Sequence, residues 1–200
     1  MRQAKGDALS TLQHQASDCR RCDIWKCGGR VVFGEGSPAA KIMIVGEQPG
    51  DQEERLGRPF VGPAGRVLDA ALAEASLVRK KLYISNAVKH FKFTPRGKRR
   101  LHQRPTAGEI DICKWWLWQE IEIVKPKLVI ALGGSAIRGL LGKAIPIERN
   151  RGRLIELRPQ LSLLVSFHPS FILRQRDTAA RESLQTKLVE DLKAARRFLS

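Results

Sequence analysis

Two short stretches of this chain carry residue types that can break bonds. In Gly46-Glu47-Gln48-Pro49-Gly50-Asp51 an acidic pair leaves the apolar run Lys41-Ile42-Met43-Ile44-Val45 on a Pro-Gly turn. In Gly97-Lys98-Arg99-Arg100-Leu101-His102-Gln103-Arg104 a histidine stands within a strongly cationic segment. A carboxylate at a strand end and an imidazole among arginines suit a site that holds a polyanion and breaks a bond within it. Asn86 follows a second apolar run, Leu82-Tyr83-Ile84-Ser85, and His168-Pro169-Ser170 follows a third, Leu161 to Ser166.

The elements that must position these groups follow from the hydrophobic pattern. Residues 41–45, 82–85, 128–132 and 161–166 are short, near-continuously apolar runs, the mark of strands buried on both faces. Residues 153–157 are expected to add a further strand. Between them, Val67, Leu68, Ala71 and Leu72 recur at helical spacing, and a polar helix is expected over 7–18. Thr106 and Glu109 have capping-box spacing at the start of a helix that runs to Val124 and is stopped by Pro126. A helix to Leu141 follows Gly133-Gly134-Ser135, and a last amphipathic helix covers 180–199. The segment after residue 45 is expected to be turn-rich, and 91–104 a basic loop. Alternation of this kind indicates a three-layer α/β/α fold with a central, mainly parallel sheet, in a single domain over 1–200. Ligands of such sheets bind beyond the carboxyl ends of the strands. Glu47, Asn86, Gly133 and His168 all fall there, so one shared cleft is expected.

The composition narrows the partner. The net charge is +16, from 36 Lys and Arg against 20 Asp and Glu, and 42% of residues are hydrophobic. That apolar content argues against a disordered chain, and the charge excess draws in phosphate backbones with salt-sensitive affinity. No apolar stretch approaches the roughly 20 residues that span a bilayer. The N-terminus lacks the apolar core of a secretory signal, so a cytoplasmic protein with no membrane partner is expected.

Several motifs keep two readings. Gly133-Gly134-Ser135 fits a phosphate contact or a tight packing turn. Trp115, Trp116 and Trp118 fit base stacking less well than helix-to-sheet packing. Cys19-x-x-Cys22 has metal-ligand spacing, with Cys27 nearby and Cys113 far along the chain. A zinc site from Cys19, Cys22, Cys27 and His14 and an iron–sulfur cluster gathered from distant segments are equally open, with free thiols a third reading.

Five segments in register bring a family into view. Gly46-Glu47-Gln48-Pro49-Gly50-Asp51-Gln52-Glu53, Gly57-Arg58-Pro59-Phe60-Val61-Gly62-Pro63-Ala64-Gly65, Ser85-Asn86-Ala87-Val88-Lys89-His90-Phe91 and His168-Pro169-Ser170 resemble, in order, the iron–sulfur uracil-DNA glycosylases. Lys98-Arg99-Arg100-Leu101-His102 resembles the loop of one subgroup, the UdgX-type enzymes, which attach covalently to DNA after removing uracil. The resemblance spans about residues 17–198.

The resemblance implies a uracil-DNA glycosylase-like fold, uracil-containing DNA as partner with single strands preferred, a monomer, and a place at the bacterial nucleoid. It implies a [4Fe-4S] cluster on Cys19, Cys22 and Cys113, with His90 standing where the family has a fourth cysteine and Cys27 as competitor. Asn86 would read uracil O4 and N3–H, Phe60 would stack on the base, and Gly46 and Ser170 would complete the pocket. His168 would donate to uracil O2. His102 would attack C1′, with Glu47 orienting it and Gln48 and Asp51 beside it. Lys98, Arg99, Arg100, Arg104 and Ser135 would contact DNA. Two alternatives are a turnover glycosylase in which Glu47 or Asp51 positions water, and a non-catalytic binder of uracil or abasic sites.

Overall fold

The computed structural model describes residues 2–27 and 29–198. Helix α1 (Arg2–Ala16) and a 3-10 turn at Asp23–Cys27 precede a short edge strand, β1 (Glu35–Gly36), and the central strand β2 (Ile42–Gly46). Two helices follow, α2 (Asp51–Leu56) and α3 (Pro63–Glu74), then β3 (Tyr83–Asn86). A hairpin of β4 (Phe93–Arg96) and β5 (Arg99–His102) leads into α4 (Ala107–Val124), β6 (Leu128–Leu132) and α5 (Gly134–Leu141). The chain finishes with α6 (Ile147–Asn150), β7 (Leu154–Arg158), β8 (Leu161–Ser166), α7 (Pro169–Leu173) and α8 (Thr178–Ala195).

Six strands form one sheet in the order β1-β3-β2-β6-β8-β7. The inner pairs β3/β2, β2/β6 and β6/β8 are parallel, and only the two edges are antiparallel. All five residues of β2 and of β6 are buried. Period-two alternation then divides them between two cores. Met43, Val45, Val129, Ala131, Leu163 and Val165 face the layer of α1, α4 and α5, whereas Ile42, Ile44, Leu128, Ile130, Leu132 and Leu164 face α3, α7 and α8. This is the three-layer α/β/α arrangement that the apolar runs require. After β2 the chain builds β3 on one side and then crosses to β6 on the other, so the end of β2 is the topological switch point where parallel sheets open a crevice.

The helix boundaries follow their caps. Thr106 Oγ1 accepts from the Glu109 amide at 3.3 Å, and Glu109 Oε2 accepts from the Thr106 amide at 2.6 Å, completing the expected capping box. The polar first helix starts earlier than its pattern suggested. It buries only Leu12 and Ala16 and is tied down by Lys5 Nζ donating to the Val124 carbonyl at 2.7 Å. The last helix ends at Ala195, followed by a 3-10 turn over Arg196–Phe198, and the final expected helical position, 199, lies outside the described residues.

Two expectations change. The turn-rich segment contains α2, a helix too short to show a period. The basic loop is a two-stranded hairpin, pairing Phe93 with His102 and Arg96 with Arg99, and turning at Gly97 with φ 58°. Both strands are largely exposed and β4 carries Pro95, so neither the alternation nor the composition of a strand is present to read.

Candidate active site

Four strand ends converge on one cleft. Gly46 ends β2 and hands on to Glu47, Asn86 ends β3, β6 hands on to Gly133, and β8 delivers His168 two residues after Ser166. A cavity of ≈ 590 Å³ is lined by Gln48, Phe60, Asn86, His102, His168 and Ser170, among others. An adjoining one of ≈ 480 Å³ lies between Glu47, Arg104, Gly133, Gly134, Phe171 and Arg174. Glu47, His102, His168, Ser170 and Arg174 belong to both, so they form the wall that the two share.

The floor of the larger cavity depends on a missing side chain. A Cβ at Gly46 would stand 2.5 Å from Asn86 Oδ1 and 2.5 Å from Phe60 Cζ, so glycine alone lets the amide and the ring approach over it. Phe60 has a left-handed backbone, φ 53°, and a Cβ at Gly65 would meet its carbonyl oxygen at 2.0 Å. The Phe60 loop is held by Glu53, whose carboxylate accepts from the amides of Gly50, Val61 and Gly62 at 3.2, 3.1 and 2.8 Å. Sequence reasoning gave Glu53 no role, although Gly50 to Glu53 has the same spacing as Thr106 to Glu109. Asn86 is 2% exposed. Its Oδ1 is the one buried side-chain polar atom without a hydrogen-bond partner among the described residues. An unpaired buried acceptor is disfavoured by roughly 1–3 kcal/mol, which a ligand donor recovers on binding.

Glu47 is the electrostatic centre. Ser135 Oγ donates to its Oε2 at 2.5 Å, His102 Nε2 lies 3.3 Å from its Oε1, and Arg104 Nε lies 3.7 Å from Oε2. Burial pushes the carboxyl up, but the bonds from His102 and Ser135 and the nearby imidazoles outweigh it, and the net direction is down. Glu47 is therefore a carboxylate at neutral pH. Burial drives His168 the other way, to about 4, with Arg174 and His102 adding to the depression and Glu47 opposing it. The ring is neutral at pH 7. Its Nδ1 accepts from the Ser170 amide at 3.1 Å and contacts Ser170 Oγ at 2.8 Å, so the ring proton sits on Nε2. Phe60 flanks the ring at 5.8 Å between centroids.

The hairpin carrying His102 is fastened at two points. Gln48 donates to the carbonyls of Gln103 at 3.0 Å and Lys92 at 3.3 Å, and accepts from the Lys92 amide at 3.1 Å. Arg100 bonds Asp51 and Glu54 at the start of α2 and lies over the rings of Phe91 and Phe93 at 5.5 and 5.0 Å. Asp51 thus engages Arg100 and Arg55, and Ser135 engages Glu47. Lys98, Arg99 and Arg104 are exposed around the cleft, and the His102 side chain keeps 49% of its surface accessible.

The cysteines lie in the α1–α4 layer. Cys19, Cys22 and Cys113 act on one another electrostatically, and burial pushes the Cys113 thiol up to about 12 and Cys22 up in the same direction. Trp116 Nε1–H donates to Cys19 Sγ at 3.1 Å, and the Lys89 amide to Cys113 Sγ at 3.3 Å. His90 is buried, and burial alone pushes its ring down. Cys27 stands apart, 3.8 Å from the Phe93 carbonyl. Among the described residues no three His, Cys, Asp or Glu side chains converge as ligands of a single ion. Free cysteines from separate segments and a buried imidazole are soft donors of the kind that the corners of a cluster take. Of the tryptophans, Trp116 is buried, Trp118 donates to the Gly139 carbonyl at 3.2 Å, and Trp115 stays 39% exposed under Arg21.

A crevice at a parallel-sheet switch point, walled by a carboxylate and two imidazoles and floored by an unpaired amide oxygen, is the kind of site that α/β enzymes use. A family model for the uracil DNA glycosylase superfamily matches residues 33–193, and the chain belongs to that superfamily. It is 33% identical over 194 residues to a Type-4 uracil-DNA glycosylase of Thermotoga maritima, across 96% of this chain and 95% of that one. A Type-4 uracil-DNA glycosylase of Pyrobaculum aerophilum is 34% identical over 174 residues, covering 84% and 85% of the two chains. A Type-5 uracil-DNA glycosylase of the same organism is 35% identical over 184 residues, covering 84% and 77%. Among the described residues no helix is long and apolar enough to cross a membrane.

Proposed function

We propose that this protein removes uracil from DNA and then holds the resulting sugar covalently on His102, as a UdgX-type enzyme. The observation that carries this reading is the placement of His102 Nε2 3.3 Å from a half-buried carboxylate, on the wall of the cavity that holds the unpaired Asn86 Oδ1. Uracil N3–H donates to Asn86 Oδ1 and uracil O4 accepts from the same amide. Cytosine, with an acceptor at N3, leaves Oδ1 unpaired, and discrimination against an analogue lacking the matching group is large in such sites. Phe60 stacks on the ring, and His168 Nε2–H donates to O2.

Cleavage sends the electron pair of the C1′–N1 bond to uracil, whose negative charge is met by His168. A donor aimed at developing charge contributes about 2.7–4 kcal/mol. With Nε2 directed at Glu47, the lone pair of His102 Nδ1 forms the new bond to C1′. The Nε2 proton passes to Glu47 and from there, relayed by solvent, to the departed uracil anion, so that Glu47 returns to its carboxylate and no charge is left over. The product is a neutral N-alkyl imidazole, whose expulsion would require an imidazolate leaving group, so the adduct persists and each molecule acts once.

Exposed Lys98 and Arg99 on the hairpin and Arg104 beside the cleft engage phosphates. Single strands are preferred because the base is already unstacked. Cys19, Cys22, Cys113 and His90 are the residues that would hold a [4Fe-4S] cluster, which would fasten the N-terminal segment to α4 and supply no step of the chemistry.

The test is a denaturing gel of the protein with single-stranded uracil DNA beside His102→Ala. An SDS- and heat-resistant shifted band, lost in the variant while uracil is still released, supports capture by His102. Abasic product in excess of enzyme with no shifted band returns the nucleophile to water, and absence of free uracil in both removes the catalytic reading altogether.

A further inference from the structure

A second polar group lies beneath the cleft and takes no part in the chemistry described above. Lys89 and Glu120 form an ion pair of 2.6 Å whose side chains are 1% and 0% exposed. Every proton of the ammonium is placed: Nζ donates to Glu120 Oε2, to Ser85 Oγ at 2.7 Å and to the Asn86 carbonyl at 2.8 Å. Glu120 is equally saturated, accepting from Ser85 Oγ at 2.8 Å, the Gly34 amide at 2.8 Å and the Tyr83 hydroxyl at 3.1 Å. The Phe33 ring closes the network 5.3 Å from the ammonium. A buried ion pair is weak evidence for stability, because desolvation consumes most of the attraction. What this one does is geometric. It grips two consecutive residues at the end of β3, and the second is Asn86.

We propose that Lys89 and Glu120 are positioning residues for base recognition, acting through Asn86. On one side of the Asn86 backbone, the amides of Ala87 and Val88 donate to the carbonyls of Gly46 and Glu47, each at 3.0 Å. On the other, Lys89 holds the Asn86 carbonyl. The peptide cannot rotate, and the side chain is confined over Gly46 with its Oδ1 unsatisfied, set for a donor before one arrives. Such pre-orientation lowers the barrier by removing a search from the reaction. This inference rests on the uracil-reading role of Asn86.

The experiment is a mutant cycle on the full-length protein, with uracil release timed under excess enzyme on a single-stranded substrate. Lys89→Met combined with Glu120→Gln removes both charges while keeping volume and an amide acceptor. The rate should fall about tenfold to a hundredfold, with iron content and affinity for uracil-free DNA unchanged. In an Asn86→Ala background the same pair should bring no further loss. A role in folding alone would lower the rate by the same factor in both backgrounds, and that result would overturn the proposal while leaving Asn86 as the uracil reader. An Asn86→Ala rate equal to wild type would overturn the reading of Asn86 and this inference with it. Should the pair fail to fold, Glu120→Gln alone supplies the same cycle with a smaller expected loss.

Discussion

The cleft is made of two kinds of material. Asn86, Glu47 and His168 stand on or just beyond strands with both faces packed, and each is fixed by at least two neighbours. His102 stands at the end of a two-stranded hairpin that belongs to no larger sheet. A lone hairpin is marginally stable in water, and this one relies on Gln48 and on the Arg100 clamp. On the proposed function, base reading is therefore built into the core, whereas capture is carried on an attachment. The difference predicts that excision and capture can be separated by mutation in one direction only: core changes stop both, hairpin changes stop capture alone.

The largest effect tests the core half. His168→Ala removes the neutral donor to uracil O2 and should slow uracil release by about 10²–10³-fold, with the adduct falling in step, in single-turnover assays of free base and of shifted band. A fall in adduct alone would break the distinction. The next effect tests the hairpin half. Gln48→Ala cuts three hydrogen bonds that join the hairpin base to the end of β2, each contributing about 0.5–1.5 kcal/mol. Adduct formed per uracil released should drop by roughly tenfold, with release itself little changed. An equal loss of both would mean that the hairpin also shapes the base pocket.

Glu53→Ala sharpens the boundary between the two regions. It leaves the amides of Gly50, Val61 and Gly62 without their acceptor and frees the loop that holds Phe60 in its left-handed backbone. Melting should show a loss of about 1–3 kcal/mol. Release should slow with it, because Phe60 belongs to the core half.

How much of this could be read from the chain divides along the same line. The buried strands declared themselves as apolar runs, and the capping box at Thr106 fixed a helix start, because burial and caps leave local signatures. The strand ends that carry Glu47, Asn86 and His168 were legible for the same reason. The hairpin was not. Its strands are polar on both faces, and what holds it is distant in sequence: Gln48 lies 55 residues from the Gln103 carbonyl it bonds. Arg100 and Ser135 were expected at phosphates because composition cannot distinguish a cation or hydroxyl facing solvent from one facing Asp51 or Glu47. Lys89 and Glu120 carried a signal that could have been used, since a lysine closing an apolar strand and a glutamate between Leu117 and Ile121 are each out of place alone.

The last effect concerns pH and the partly buried imidazole of His168. Burial holds His168 down at about 4, against 6.5 for an ordinary histidine. Between those values the unfolded chain binds a proton that the folded site refuses, so stability rises with pH across that window and is lost as pH falls through it. The span corresponds to on the order of 3 kcal/mol. Glu47, held below its ordinary 4.5, acts in the same sense but only at lower pH. Melting curves from pH 4 to 7 should therefore be steeper for the wild type than for His168→Gln, which has no proton to exchange. Glu47→Gln removes the one charge that favours the protonated ring, so it should extend the window further down. A narrower window in that variant would mean that His168 answers to the hairpin more than to the core, and the division between the two regions would have to be redrawn around Glu47.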